Sequence, residues 1–204
     1  MILFLILLTL ILVVIYFYFF SRFDIIHLDS KTYKIEKNVT PTRRSQSLIT
    51  LTNIRTQLDK LVESIVMSYP TDPKIARMKE RFSNTILQEA NPKEESERFK
   101  DTETMLLASD GKKLQTSYTI NKGDVMVLCI RNVDGNLVDM NTLMYVAIHE
   151  LAHILSSSLN HTPEFWQNMK LLKNHAVKIK LYIDRDYKTN PVPYCGIPID
   201  SNIN

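Results

Sequence analysis

Cysteine is scarce in this chain. Of 204 residues only Cys129 and Cys195 carry a thiol, too few for the dense disulfide framework of a small secreted scaffold, and in a domain facing the cytosol both are expected to stay reduced. A dominant charge of one sign is missing as well. The formal net charge is +3, and the basic residues do not form a stripe along the chain's body, so nucleic acid is not demanded as a partner. No internal repeat or low-complexity tract occurs. Charge, glycine and proline are absent from the first twenty residues, MILFLILLTLILVVIYFYFF. As a helix rising 1.5 Å per residue, such a run reaches about 30 Å, the thickness of a bilayer core, and is expected to span a membrane.

A cleaved signal peptide would carry a basic residue before the apolar run and small residues at its end. Here the run ends in YFYFF, so an uncleaved single-pass anchor over 1–20 is the expectation. Arg22, Lys31, Lys34, Lys37, Arg43 and Arg44 follow it and no basic side chain precedes it; the positive-inside rule then places the domain on the cytosolic side of the membrane. Residues 21–44 are expected to be a basic, irregular juxtamembrane stalk, at ease beside anionic headgroups. With 45% apolar and 23% charged residues overall, 45–204 has the composition of a single domain. Glycosylation sequons at Asn38 and Asn160 are read as chance matches, since a glycan beside His161 would crowd the cluster described next.

What is present begins with rhythm. Leu48, Leu51, Ile54, Leu58, Leu61, Ile65 and Val66 recur at steps of three and four, one face of a helix. Asp72 before Pro73 caps a shorter helix carrying Ile75, Met78 and Phe82. A strand is expected over 85–90. Segments 114–120 and 125–131 flank Asn121-Lys122-Gly123-Asp124 and read as a hairpin, and 133–136 turns the chain again. An almost wholly apolar helix follows over 141–156, then a last helix opened by Thr162-Pro163, then a loop from 184 onward. Strands mixed with segregated helices make this an α+β domain.

The apolar helix holds HELAH, residues 149–153. Positions four apart lie one turn above each other, so His149 and His153 present imidazoles to one point, while Glu150 can face the open side of a metal and accept a proton from bound water. A catalytic Zn2+ takes three protein ligands and leaves one position open. His161, beyond the serine run that ends the helix, is the third choice; Glu164 and His175 are rivals. Four of the five histidines fall between 149 and 175. Buried core histidines with Glu150 in a salt bridge would be the plainer use of the same residues.

HELAH, the following His161 and the pair Phe165-Trp166, with the hairpin TSYTINKGDVMVLCIR ahead of them, resemble the WLM and SprT-like zinc metallopeptidases. The late Tyr194-Cys195-Gly196-Ile197 is similar to uncharacterised membrane-anchored relatives in large DNA viruses. The resemblance spans roughly 47–199, most specifically 116–166. It implies a zincin-like minimal metalloprotease fold, with His149, His153 and His161 as zinc ligands and Glu150 as general base for hydrolysis of protein or peptide substrates. It further implies that Val125, Met126, Val127, Leu128, Cys129 and Ile130 receive the substrate backbone by β-addition, although a strand apolar on both faces is equally a buried one. Members of these families cut proteins crosslinked to DNA; a membrane span at one end and a short tail at the other set this chain apart.

Secondary candidates are weighed against plainer roles. Cys195 could ligate metal, but three histidines already complete a hydrolytic site. Tyr187 and Tyr194 could donate to a developing oxyanion, though a packed tyrosine is the ordinary reading. Phe165 and Trp166 are expected in the core, His175 on the surface or behind the ligands, and His27 beside the membrane. Two other functions stay open: a zinc-stabilised membrane scaffold without turnover, which needs a fourth protein ligand, and a DNA-dependent protease.

Overall fold

Polar and apolar residues alternate in the segment KTYKIE, where Tyr33 and Ile35 are buried and the intervening side chains face outward, the period of a half-buried strand. In the computed structural model this segment is β2 (Lys31–Glu36), paired antiparallel with β1 (Phe23–Leu28). Asp29 and Ser30 join them with φ of 49° and 61°, the left-handed pair of a tight two-residue hairpin turn. The structure describes residues 6, 7, 9–11, 13, 22–95 and 117–200. The described part of the expected stalk, 22–44, is therefore not irregular: β1 and β2 lie in it and the first helix starts at Pro41. Most of the expected membrane span lies outside the described residues; its described positions, 6, 7, 9–11 and 13, are helical and exposed. No helix among the described residues is long and apolar enough to cross a membrane.

Helix α1 (Pro41–Ser68) starts at Thr40, whose hydroxyl accepts from the Arg43 amide at 3.3 Å, with Pro41 in the first turn. Its apolar stripe, Leu51, Ile54, Leu58, Leu61 and Ile65, is wholly buried. Arg55 on the same helix is also buried and donates to the carbonyls of Phe82, Ser83 and Thr85 at 2.9, 3.2 and 2.9 Å. Those carbonyls close α2 (Pro73–Asn84), so a cation from another helix sits at the negative end of its dipole.

The sheet order is β1-β2-β3-β5-β4. Strands β2, β3 (Ile86–Glu89) and β5 (Val125–Leu128) run parallel, and β4 (Tyr118–Ile120) pairs antiparallel with β5 in the expected hairpin. Helix α3 (Met140–Leu155) packs against β4 and β5, and α4 (Pro163–Lys178) against α3 and α1. All four residues of β5 are buried and both its edges are taken, by β3 and β4. That overturns the reading of 125–130 as the strand a peptide would join: no free backbone edge remains on Val125, Met126, Val127 or Leu128, and Cys129 and Ile130 are fully buried beyond it. Among the described residues the open edge next to α3 belongs to β4.

The tail is likewise more ordered than its prolines suggested. Strands β6 (Val192–Tyr194) and β7 (Ile197–Ile199) form a hairpin turned at Cys195 and Gly196, with φ of 52° and 87°. Cys195 is joined to Cys129 in a disulfide, which corrects the expectation of two thiols. Beside it the Tyr194 hydroxyl lies 2.6 Å from the Ser117 hydroxyl and accepts from the Cys129 amide at 3.2 Å.

Candidate metal centre

The helix that carries HELAH begins at Asp139, whose carboxylate accepts from the Thr142 amide at 3.2 Å and its hydroxyl at 2.6 Å. From there nearly every face is apolar and buried, which fixes the rotation of α3 and so the direction of its polar residues. The helix stops at Ser156, where the Ser156 hydroxyl returns to the Ala152 carbonyl at 2.7 Å. The connection 156–162 then folds back, and Thr162 caps α4.

That return brings His161 onto the two helical histidines. Its Nε2 lies 3.0 Å from Nε2 of His149 and 3.2 Å from Nε2 of His153. Zinc with bonds of 2.0–2.1 Å in tetrahedral geometry sets its ligand nitrogens roughly 3.3 Å apart, so the three donors already stand near the spacing such an ion requires. They form the group of potential ligands found among the described residues. Protonation would set three cations against one another. Burial instead holds all three below the usual imidazole value: His149 well below, helped by His153 and His161; His153 down to about 4, helped by His161 and Lys122; His161 by burial alone. Neutral rings keep a lone pair for a metal.

Phe165, fully buried in the first turn of α4, lies under all three, with ring centroids 4.9, 4.4 and 4.5 Å from His149, His153 and His161. It is a core residue, as expected. Trp166 is not: 42% of it is exposed and its ring stands 5.4 Å from His161, on the open side of the cluster.

Glu150 is 1% exposed, and no cation among the described residues forms an ion pair with it. Its Oε2 accepts from the Thr119 hydroxyl of β4 at 2.9 Å. Burial pushes the carboxyl up to about 8, against the pull of that hydrogen bond. The salt-bridged core glutamate of the plainer reading is thus not what the structure holds. Tyr118, Thr119, Lys122, His153 and Leu159 line a cleft of about 70 Å³ between the edge strand and the returning connection.

The rival ligands are employed elsewhere. Glu164 accepts from the Ser157 amide at 3.3 Å, from the Ser157 hydroxyl, and from Lys74 at 3.0 Å. Its Ser157 and Lys74 partners hold it down to about 2. His175 meets the Ser68 hydroxyl at 3.1 Å, at the far end of α1, and His27 meets Thr32 at 3.1 Å on the β1–β2 hairpin. Cys195 is spent in the disulfide. Tyr194 is buried behind β5, and Tyr187 packs on Tyr145 with centroids 4.6 Å apart.

Glu164 supports a pH prediction. A carboxyl held near 2 in the fold and near 4.5 in a free chain contributes stability that is complete above about pH 4.5 and lost as the pH falls toward 2. Protease cleavage within 156–162 should therefore rise across that window, and the rise should be smaller in Glu164→Gln, which lacks the titrating group. Equal acid sensitivity in both would remove Glu164 as the tie.

Two residues at this centre escaped the sequence. Thr119 looks like any β-branched strand residue, and Lys122 like a solvated turn residue; only the pairing of β4 with β5 in this register brings them to α3.

Comparison with known proteins now bears on the site. The chain is 37% identical over 97 residues to the uncharacterised protein R325 of Acanthamoeba polyphaga mimivirus, which covers 47% of this chain and 48% of the relative. It is 42% identical over 69 residues to the uncharacterised protein 136R of Invertebrate iridescent virus 6 (32% and 38% covered). It is 39% identical over 84 residues to the uncharacterised protein 042R of Invertebrate iridescent virus 3 (41% and 51%). The chain thus spans about half or less of the length of these curated relatives. No solved structure matches it. The WLM domain description matches residues 72–190, a stretch that begins at the cap of α2 and takes in the edge hairpin, HELAH and the third imidazole. With more than half of its residues inside that match, the chain belongs to the WLM domain family.

Proposed function

We propose that this protein is a membrane-anchored, zinc-dependent metallopeptidase with a zincin-like domain, hydrolysing peptide bonds. The observation that carries the reading is the convergence of the Nε2 atoms of His149, His153 and His161, spaced for one tetrahedral ion, beside a carboxylate that accepts from the Thr119 hydroxyl. Those three imidazoles would hold the metal, and the bound ion supplies a Lewis acid and a water whose pKa lies near 7. Glu150 accepts the proton at its carboxylate and returns it to the leaving amine. The burial that lifts this carboxyl above the ordinary range makes it a stronger base than an exposed one. Thr119 holds one of its oxygens and so sets the direction of the other. The open edge of β4 offers backbone groups to an extended peptide, which would lie along the cleft beside His153.

A scaffold with structural zinc needs a fourth protein ligand. Its candidate, Cys195, is in the disulfide, and among the described residues no fourth donor joins the three histidines. That favours the enzyme. The anchor rests on the length and composition of residues 1–20.

The test is metal content. Full-length chain purified in detergent should hold about one zinc per molecule, and His153→Ala should lose most of it. A metal-free chain whose stability is unchanged by chelator would refute the reading.

A further inference from the structure

Just beyond the end of helix α3, three successive carbonyls point at the hairpin that holds the edge strand, and a cation meets them there. Nζ of Lys122 donates to the carbonyls of Ser156 and Ser158 at 3.0 and 2.7 Å, and also to that of Ser157. A lysine at this place is not the easy choice for the backbone. Asn121, Lys122 and Gly123 have φ of 48°, 57° and 125°, a left-handed run in which glycine or asparagine is at home and lysine is not. The turn does bring the side chain of Lys122 onto the chain leaving α3. Gly123 beside it has little spare room, since an added Cβ would stand 3.4 Å from Ile154 on α3 and 3.5 Å from Arg81. The turn therefore lies close against α3.

The carbonyls that Lys122 gathers are the first three residues of the connection that carries His161. The rest of that connection is tied locally: Ser158 Oγ lies 2.9 Å from Thr162 Oγ1, and Asn168 donates to Ser156 Oγ at 2.9 Å. Lys122 alone among these ties comes from the sheet. The same hairpin sends Thr119 to Glu150, so one short turn contacts both the carboxylate and the path of the third imidazole.

We infer that Lys122 is a positioning residue for the third metal ligand: by clamping carbonyls 156–158 it sets where His161 stands relative to His149 and His153, without touching the metal itself. This rests on the zinc-site reading above. Removing the clamp leaves two imidazoles fixed on α3 and the third on a loosened connection. Supporting groups behind metal ligands govern affinity by about 10- to 100-fold.

The experiment measures zinc affinity by chelator competition on full-length protein, together with the visible spectrum of the cobalt-substituted form. Lys122→Met keeps the stem and removes the charge; it should weaken zinc binding by about 10- to 100-fold and lower the intense absorption of a tetrahedral cobalt site. Lys122→Arg, which keeps a cationic donor, should recover most of both. In a His161→Ala background Lys122→Met should change affinity little further, because the two substitutions act on one ligand. Lys122→Gln, read through the same cycle, serves if the methionine variant does not fold.

Affinity and spectrum unchanged in Lys122→Met, or an equal loss with and without His161, would overturn the inference and leave the zinc site standing. Wild-type protein that binds no metal would bring down the zinc site and this inference together.

Discussion

Glu150→Gln is expected to lower peptide cleavage by about a hundred- to ten-thousand-fold, the usual worth of a positioned general base, while zinc content stays at one per chain. The amide has the shape of the carboxylate, and its oxygen can still accept from Thr119, now 2.9 Å away. What it cannot do is take a proton. Fold stability should not suffer, because the substitution puts a neutral group where burial already disfavours a charged one. Two outcomes would count against the assignment: cleavage within about tenfold of wild type would move the base elsewhere, and loss of zinc alongside activity would make Glu150 a ligand.

The second large effect concerns the disulfide. Cys129 and Cys195 are 66 residues apart in sequence, and closing a loop of that length is worth about 4 kcal/mol in the chain-entropy view. A Cys129→Ala, Cys195→Ala double variant should therefore unfold at markedly lower urea, and reductant should move wild type, but not the variant, in the same direction. The loss should reach the cleft beside His153. Tyr194 on the tethered hairpin holds Ser117, two residues before Thr119 on the edge strand. Coincident unfolding curves for oxidised, reduced and variant protein would show the bond contributes nothing. A domain that depends on this bond matures where thiols are oxidised, in conflict with the cytosolic side inferred from the basic residues after the apolar run. The two indications can be separated by protease protection in intact vesicles.

Much of the centre was legible because it follows short-range geometry. Two histidines four apart on an apolar helix must point together, and the Thr162-Pro163 cap dictates where the chain resumes helical form after His161. The turn 121–124 announced the β4–β5 hairpin by its glycine. What stayed hidden was long-range. In β2 the buried pair Tyr33 and Ile35 sits between Lys31, Lys34 and Glu36, and the charges read as a linker until β3 is seen beside it. In β6 and β7, Pro193 and Pro198 signal loop, yet the pairing survives because the hairpin has only two strands, each an edge. Cysteine pairing across 66 residues leaves no local trace, and neither does a lysine that caps a helix it is not part of.

The hairpin β1–β2 alters what an anchored enzyme could reach. The apolar run ends at Phe20 and β1 starts at Phe23, and three residues of fully extended chain cover at most about 10 Å. Where a long leash would let a catalytic body search the surrounding solution, the proposed anchor would hold this one almost flush with the lipid surface. Substrates of the proposed peptidase would then lie in polypeptides that emerge from, or rest on, the same bilayer.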